Sequence, residues 1–285
     1  MVVIFALAAA VLYGTADFLG GLSARRISAI AVLSVSAPFG GLIVLAATLV
    51  AGGHIELPGI VWGLVAGAAG GAGLIAFYAG LATGPMSVVA PVTALASTVL
   101  PVGVAVAQGE RPGPAVVVGA VLCLVAITLV SMEGGRSPGG DRPGGRQSAR
   151  GLAYGLAAGI AFGLFFLFLK NAGTSGVLWP VAVSRLSGSA IALGAALLTR
   201  TRPIGWNTGQ NVFAMALLSG ALDATANISY VIATRAGLFG LAVVITSLYP
   251  GVTVLLARLL LREHMRSVQR AGLVLAAVGV VLLTA

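Results

Sequence analysis

The chain has 285 residues, 59% of them hydrophobic and only 8% charged, where soluble domains carry about 25% charge. That balance excludes an ordinary soluble enzyme or binding module. The net charge of +9, from 16 basic and 7 acidic residues, is scattered over short connections with no basic domain and no interleaved aromatics, so it points to anionic headgroups and helix orientation rather than to nucleic acid.

A helix rises about 1.5 Å per residue, so about twenty apolar residues cross a hydrocarbon core of about 30 Å. Only bonding within the segment satisfies the backbone there, so the spans are expected to be helices. The apolar runs predict ten of them, at 2–22, 28–51, 59–82, 86–107, 113–132, 151–170, 178–198, 211–234, 238–260 and 267–284. The start, Met1-Val2-Val3-Ile4, lacks the basic region of a signal peptide, so the first run reads as a retained span. Pro38 lies in the second span, Pro91 and Pro101 in the fourth, Pro250 in the ninth. Proline removes a backbone donor and clashes with the preceding turn, which predicts kinks. Gly59, Gly63, Gly67 and Gly71 recur every fourth residue in span 3, as do Gly151, Gly155, Gly159 and Gly163 in span 6. Such tracks let helix backbones approach closely. Cys123 is the sole cysteine and reads as a small packed hydrophobe. His54 and His264 stand far apart in loops, without metal-ligand spacing. The Asn227-Ile228-Ser229 acceptor sequence falls inside a span.

Residues 133–150, rich in Gly, Pro, Ser and Arg, read as a linker between a first five-helix unit (1–132) and a second (151–285). The units resemble each other. An offset of 153 residues pairs Thr93 with Thr246, Leu95 with Leu248, Val99 with Val252, Glu110 with Glu263 and Gly119 with Gly272. Tyr13-Gly14 corresponds to Phe162-Gly163. Five helices per unit invert the second unit relative to the first, a construction of secondary transporters with the site between the repeats.

Three ionisable residues lie well inside spans: Asp17, Arg185 and Asp223. A charge at the membrane centre costs at least about 2.5–3.5 kcal/mol, so these residues are expected to face a cavity or one another. A structural pair, for example Arg185 with Asp17, is the plain alternative. In span 8, Ser219, Asp223, Asn227, Tyr230 and Thr234 share one helical face. The stripe suggests an aqueous path, with polar interhelical packing as the alternative. Tyr13 stands one turn before Asp17. Asp17 and Asp223 are thus candidates for binding a proton or a cationic substrate, Arg185 for pairing a carboxylate, and Tyr13, Asn227 and Tyr230 for hydrogen bonds or aromatic contact. Lys170, near a helix end, is expected to snorkel. No cofactor site, phosphate loop or catalytic constellation is legible.

Several local features resemble the drug/metabolite transporter superfamily, in its ten-helix EamA-type form. Phe77-Tyr78-Ala79-Gly80-Leu81, Pro91, Gly109-Glu110-Arg111 and Gly119 are similar to that family's pattern, repeated less closely by Arg262-Glu263 and Gly272. Leu12-Tyr13-Gly14 resembles its aromatic-glycine start, and Arg185 an arginine often present in the seventh helix. The equivalent part of span 2, Ser34-Val35-Ser36-Ala37, has no arginine. The resemblance implies alternating-access transport of a small metabolite, amino acid or drug, often driven by an ion gradient such as that of protons. Fifteen arginines against one lysine, with the resemblance, suggest a bacterial plasma membrane. A non-transporting scaffold or accessory subunit is the rival; it predicts packed polar residues and no central cavity.

Orientation divides the two lines of argument. Odd-numbered connections and their helix ends hold Arg25, Arg26, Arg136, Arg142, Arg146, Arg150, Arg200, Arg202, Arg258, Arg262, Arg266 and Arg270; even-numbered ones hold Arg111, Lys170 and Arg235. The positive-inside rule then puts both termini outside the cytoplasm, whereas the resemblance implies termini inside.

Overall fold

The computed structural model describes residues 1–24, 26–52, 56–83, 86–109, 113–131, 145–172, 178–202, 210–261 and 267–284. Eleven helices run through them, and no strand occurs among the described residues. They are α1 (Val2–Ala24), α2 (Ala29–Ala51), α3 (Leu57–Thr83), α4 (Met86–Ala107), α5 (Pro114–Ser131), α6 (Gly145–Asn171), α7 (Leu178–Leu198), α8 (Gln210–Arg235), α9 (Phe239–Thr246), α10 (Tyr249–Leu261) and α11 (Ser267–Thr284). Six stretches among them are by themselves long and apolar enough to cross a membrane: Val2–Ala24, Ala29–Ala51, Leu57–Phe77, Arg150–Asn171, Leu178–Leu198 and Gln210–Arg235. Val92–Ala107, Val117–Ala126 and Phe239–Thr253 are shorter apolar stretches. The chain is an all-α, multi-pass membrane protein. Six clear spans, not ten, meet the length and apolarity that a crossing needs among the described residues.

Each expected span coincides with helix, but the ninth is two helices. Pro250 has no N–H to return to the carbonyl of Thr246. The chain instead makes a turn at Ser247 and Leu248, where Leu248 N donates to Ile245 O at 3.2 Å and Gly251 N to Leu248 O at 2.9 Å. The expected kink is therefore a full interruption. Pro91 and Pro101 do the opposite: α4 runs through both, as α2 runs through Pro38. The linker also ends earlier than expected, since α6 starts at Gly145, just past Pro143 and Gly144. Residues 133–144, Glu110, Arg111, Glu263 and both histidines lie outside the described residues.

The outer faces carry large aliphatic side chains, as on α5 at Val117, Val118, Val121 and Val125. The interior is built largely from small ones, such as Ala6, Ala9, Ala10 and Ala16 of α1. This inverts the soluble pattern, because lipid is as apolar as leucine and helices associate through close backbone packing instead. Helix pairings repeat under exchange of the halves. α3 packs on α6 as α8 packs on α1; α3 packs on α7 as α8 packs on α2; α4 packs on α6 as α9 and α10 pack on α1. α2 meets its counterpart α7, and α5 its counterpart α11. This network fits two five-segment repeats.

The glycines make that symmetry concrete. Gly40 of α2 lies against the carbonyl of Gly220 on α8, and Gly188 of α7 against the carbonyl of Gly67 on α3. A Cβ at Gly67 would collide with Ser184 O, and one at Gly220 with Ser36 O. Of the two tracks seen in the sequence, Gly63, Gly67 and Gly71 face α7, and Gly159 and Gly163 face α4.

Candidate functional site

A cavity of about 180 Å³ opens between the halves, walled by α1, α2, α3, α6, α7, α8 and Tyr249 of α10. Its charged side chains are Asp17, Arg185 and Asp223. α1 presents Tyr13 and Asp17 one turn apart. It is held against α8 by Ser219 Oγ, which donates to Ala16 O at 2.8 Å. α7 brings Arg185 and Ser189 to the wall, and Ser189 Oγ donates back to the Arg185 carbonyl at 2.6 Å.

Arg185 Nη1 donates to Asp223 Oδ2. The pair is not sealed: the two side chains are 16% and 32% exposed. Arg185 Nε is buried without a partner. Asp17, by contrast, is exposed at the cavity and makes no ion pair among the described residues. The pairing of Arg185 is thus with Asp223, not with Asp17. Tyr13 Oη is buried and unpartnered, and its ring meets Tyr249 and Phe166 edge-on at 6.2 and 6.5 Å.

The span 8 stripe divides. Ser219 and Asp223 line the cavity. Asn227 and Tyr230 are fully buried and absent from its wall. Asn227 Nδ2 donates to Asp223 O at 2.7 Å, leaving Oδ1 unpartnered. Tyr230 Oη donates to Phe166 O at 3.3 Å, and its ring packs tilted against Phe166 with centroids 4.7 Å apart. Helical periodicity fixes which residues share a face but not which neighbour covers it; α6 covers the lower part of this one. Thr234 Oγ1 turns back to Val231 O. Pro101 is buried in α4. Pro101 does not border the cavity, but Tyr249, next to the helix break, does; the side chains of Pro91 and Pro250 lie outside the described residues. Lys170 bonds Gln108 Oε1 at 2.9 Å and lies 4.3 Å from the Phe239 ring centroid, so it ties helix ends together rather than only snorkelling.

The apolar part of the lining was not anticipated from residue chemistry. Phe162, Phe165 and Phe166 of α6, with Phe77 and Leu74 of α3, form an aromatic and apolar side. A signal existed: Phe162 is the repeat counterpart of Tyr13, and it faces the same space from the other half. The glycine contacts extend the correspondence. Arg185 precedes Gly188 by three residues as Ala37 precedes Gly40, and Asp223 follows Gly220 by three as Gly70 follows Gly67. Ala37 and Gly70 also line the cavity. One half thus furnishes the ion pair where the other furnishes bare surface.

Comparison with known proteins gives a consistent result. No curated protein matches the sequence. Among 21 matching solved chains, a crystal structure of a protein superposes with a TM-score of 0.79 at 20% identity, covering 99% of this chain and 95% of that one; this likeness concerns the fold. The sequence profile of the EamA-like transporter family matches residues 1–132 and again 149–285. Nearly the whole chain is accounted for by two such units, and the protein belongs to the EamA-like transporter family.

Proposed function

We propose that the protein is a secondary transporter of the bacterial plasma membrane that moves a small organic solute by alternating access. In this reading ten segments cross the bilayer, α9 and α10 together forming the ninth, and the halves 1–132 and 151–285 rock about the cavity between them. The observation that carries it is the cavity itself: its charged and aromatic walls come from both halves. A scaffold would pack those polar groups away, and an uncompensated charge such as Asp17 would be costly there. Ligand sites of inverted-repeat transporters lie at the repeat interface.

Ion coupling is assigned to the carboxylates. An apolar surround disfavours a charged carboxylate and a neighbouring arginine favours it. Asp17 and Asp223 differ in that respect, so they are suited to exchange a proton with the solute during a cycle. Tyr13 supplies an unpartnered hydroxyl at the same place. Asn227 and Tyr230 act behind the wall, holding the Asp223 backbone and α6.

Accessibility tests alternating access without knowledge of the solute. Cys123, the sole cysteine, is replaced by Ala, and Ala37→Cys is introduced on the cavity wall. A membrane-impermeant thiol reagent is applied to right-side-out and to inverted vesicles. Labelling from both faces is expected. Labelling from one face only, or from neither, would refute the reading.

A further inference from the structure

We infer that the solute is an organic cation with an aromatic or bulky apolar body, its charge bound at Asp17. The inference rests on the transporter reading above and specifies the substrate class of the same cavity.

The charges on the wall give the first argument. Arg185 and Asp223 cancel one another as a pair, which leaves Asp17 as the unmatched charge among the cavity's ionisable acids and bases. Ionised, it leaves the site one negative charge out of balance. A monocation restores neutrality. An anion cannot: it would meet Asp17, and it would have to displace Asp223 from Arg185. A zwitterion can place its ammonium on Asp17, but its carboxylate then adds to a cavity whose arginine is already paired. Since unbalanced charge at membrane depth is costly, the site selects for one positive charge.

The walls give the second argument. Tyr13 and Tyr249 stand near Asp17, with ring centroids 6.2 Å apart; Phe166 lies beside Tyr13 with centroids 6.5 Å apart, and Phe162 and Phe165 also line the cavity. Aromatic faces attract a cation desolvated against them and provide apolar contact for its body. Arg185 Nε and Tyr13 Oη, both buried and unpartnered, remain to serve a neutral carbonyl or hydroxyl on the same ligand.

Protons compete for Asp17, so cation affinity falls as pH is lowered. The groups around it are Asp223 on α8 with its partner Arg185 on α7, Tyr13 on α1 and Tyr249 on α10. Of these, Asp223 is already matched by Arg185.

The test uses purified full-length protein in neutral detergent and four probes of similar size: phenethylammonium, benzyltrimethylammonium, phenylalanine and 3-phenylpropionate. Calorimetric titration is expected to show binding of the two cations, at least tenfold tighter than the zwitterion and the anion. Acidification should weaken it in the wild type. Asp17→Asn should weaken the cations at least tenfold, and Asp17→Glu should restore them. If Asp17→Asn does not fold, the wild-type probe ranking and its pH response decide alone. Equal or tighter binding of phenylalanine or phenylpropionate, unchanged affinity in a folded Asp17→Asn, or no binding by either cation would overturn the inference. Two-sided labelling of Ala37→Cys alongside any of those results would leave the transporter reading standing and remove only the substrate class.

Discussion

Arg185 is ion-paired with Asp223 across α7 and α8, at a place where the first half of the chain offers only Ala37 and Gly70. The pair joins α7 to α8 through charged side chains, while each of the two packs closely by glycine on another helix, α7 on α3 and α8 on α2. Removing one partner strands the other in a poorly solvated place. Breaking a fully buried pair costs about 3–5 kcal/mol; with both side chains reached by the cavity, about 1–3 kcal/mol is expected for Arg185→Ala. Thermal unfolding in detergent measures it. Arg185→Ala combined with Asp223→Ala should recover part of that loss, and strict additivity of the two would show that the pair is not coupled.

Gly67→Ala and Gly220→Ala should each destabilise by about 1–3 kcal/mol through overpacking. A methyl at either position meets a backbone carbonyl, of Ser184 or Ser36, that cannot rotate away. Gly103→Ala, where the new atom meets open space, is the control and should be neutral or better. Equal unfolding temperatures for all three would contradict the close approach of α3 to α7 and of α8 to α2.

Two tyrosines separate hydroxyls by their partners. Tyr230 donates to Phe166 O, so Tyr230→Phe should cost about 0.5–1.5 kcal/mol. Tyr13 Oη has no partner, so Tyr13→Phe should leave the stability of the empty protein unchanged or slightly raised, while weakening any ligand that uses that hydroxyl. A stability loss for Tyr13→Phe as large as for Tyr230→Phe is the contrary result.

The carboxylate roles predict that Asp223→Asn, close in size but uncharged, stops pH-gradient-driven flux in vesicles while the protein still expresses and folds. Asp17→Asn should stop it as well. Undiminished flux in both variants would exclude these residues from coupling.

Arginine asymmetry predicts that both termini are extracytoplasmic. A C-terminal reporter that fluoresces only in the cytoplasm should stay dark; bright cells would instead support the inside termini that the resemblance implies.

Much of the helical layout was legible because hydropathy and length act locally. The cavity charges were legible for the same reason: an ionisable group in an apolar run is conspicuous without any partner being known. Asn227 and Tyr230 show where the reading stopped. They share a face with Asp223, but whether that face meets a cavity or α6 depends on helices far away in sequence. The break at Ser247 was half legible. Pro250 announced a disturbance, but Pro101 announced the same one and α4 absorbed it. The partner choice of Arg185, Asp223 rather than Asp17, depends on how far α1 stands from α7, which no local pattern encodes.

The interruption between α9 and α10, set against the continuous α4, has an energetic consequence. Two halves of identical sequence would give inward-open and outward-open conformers of equal free energy, since each would be the other after a two-fold rotation. Here the second half contributes a broken helix and an ion pair, and the first an unbroken helix and, at the counterpart positions of that pair, only Ala37 and Gly70. The conformers then contain different hydrogen bonds and differ in free energy. About 1.4 kcal/mol, the scale of a single hydrogen bond, is a tenfold difference in population. In the alternating-access cycle proposed above, the empty protein would then rest with its cavity open to one side of the membrane, and a solute would supply part of its binding energy to turn it.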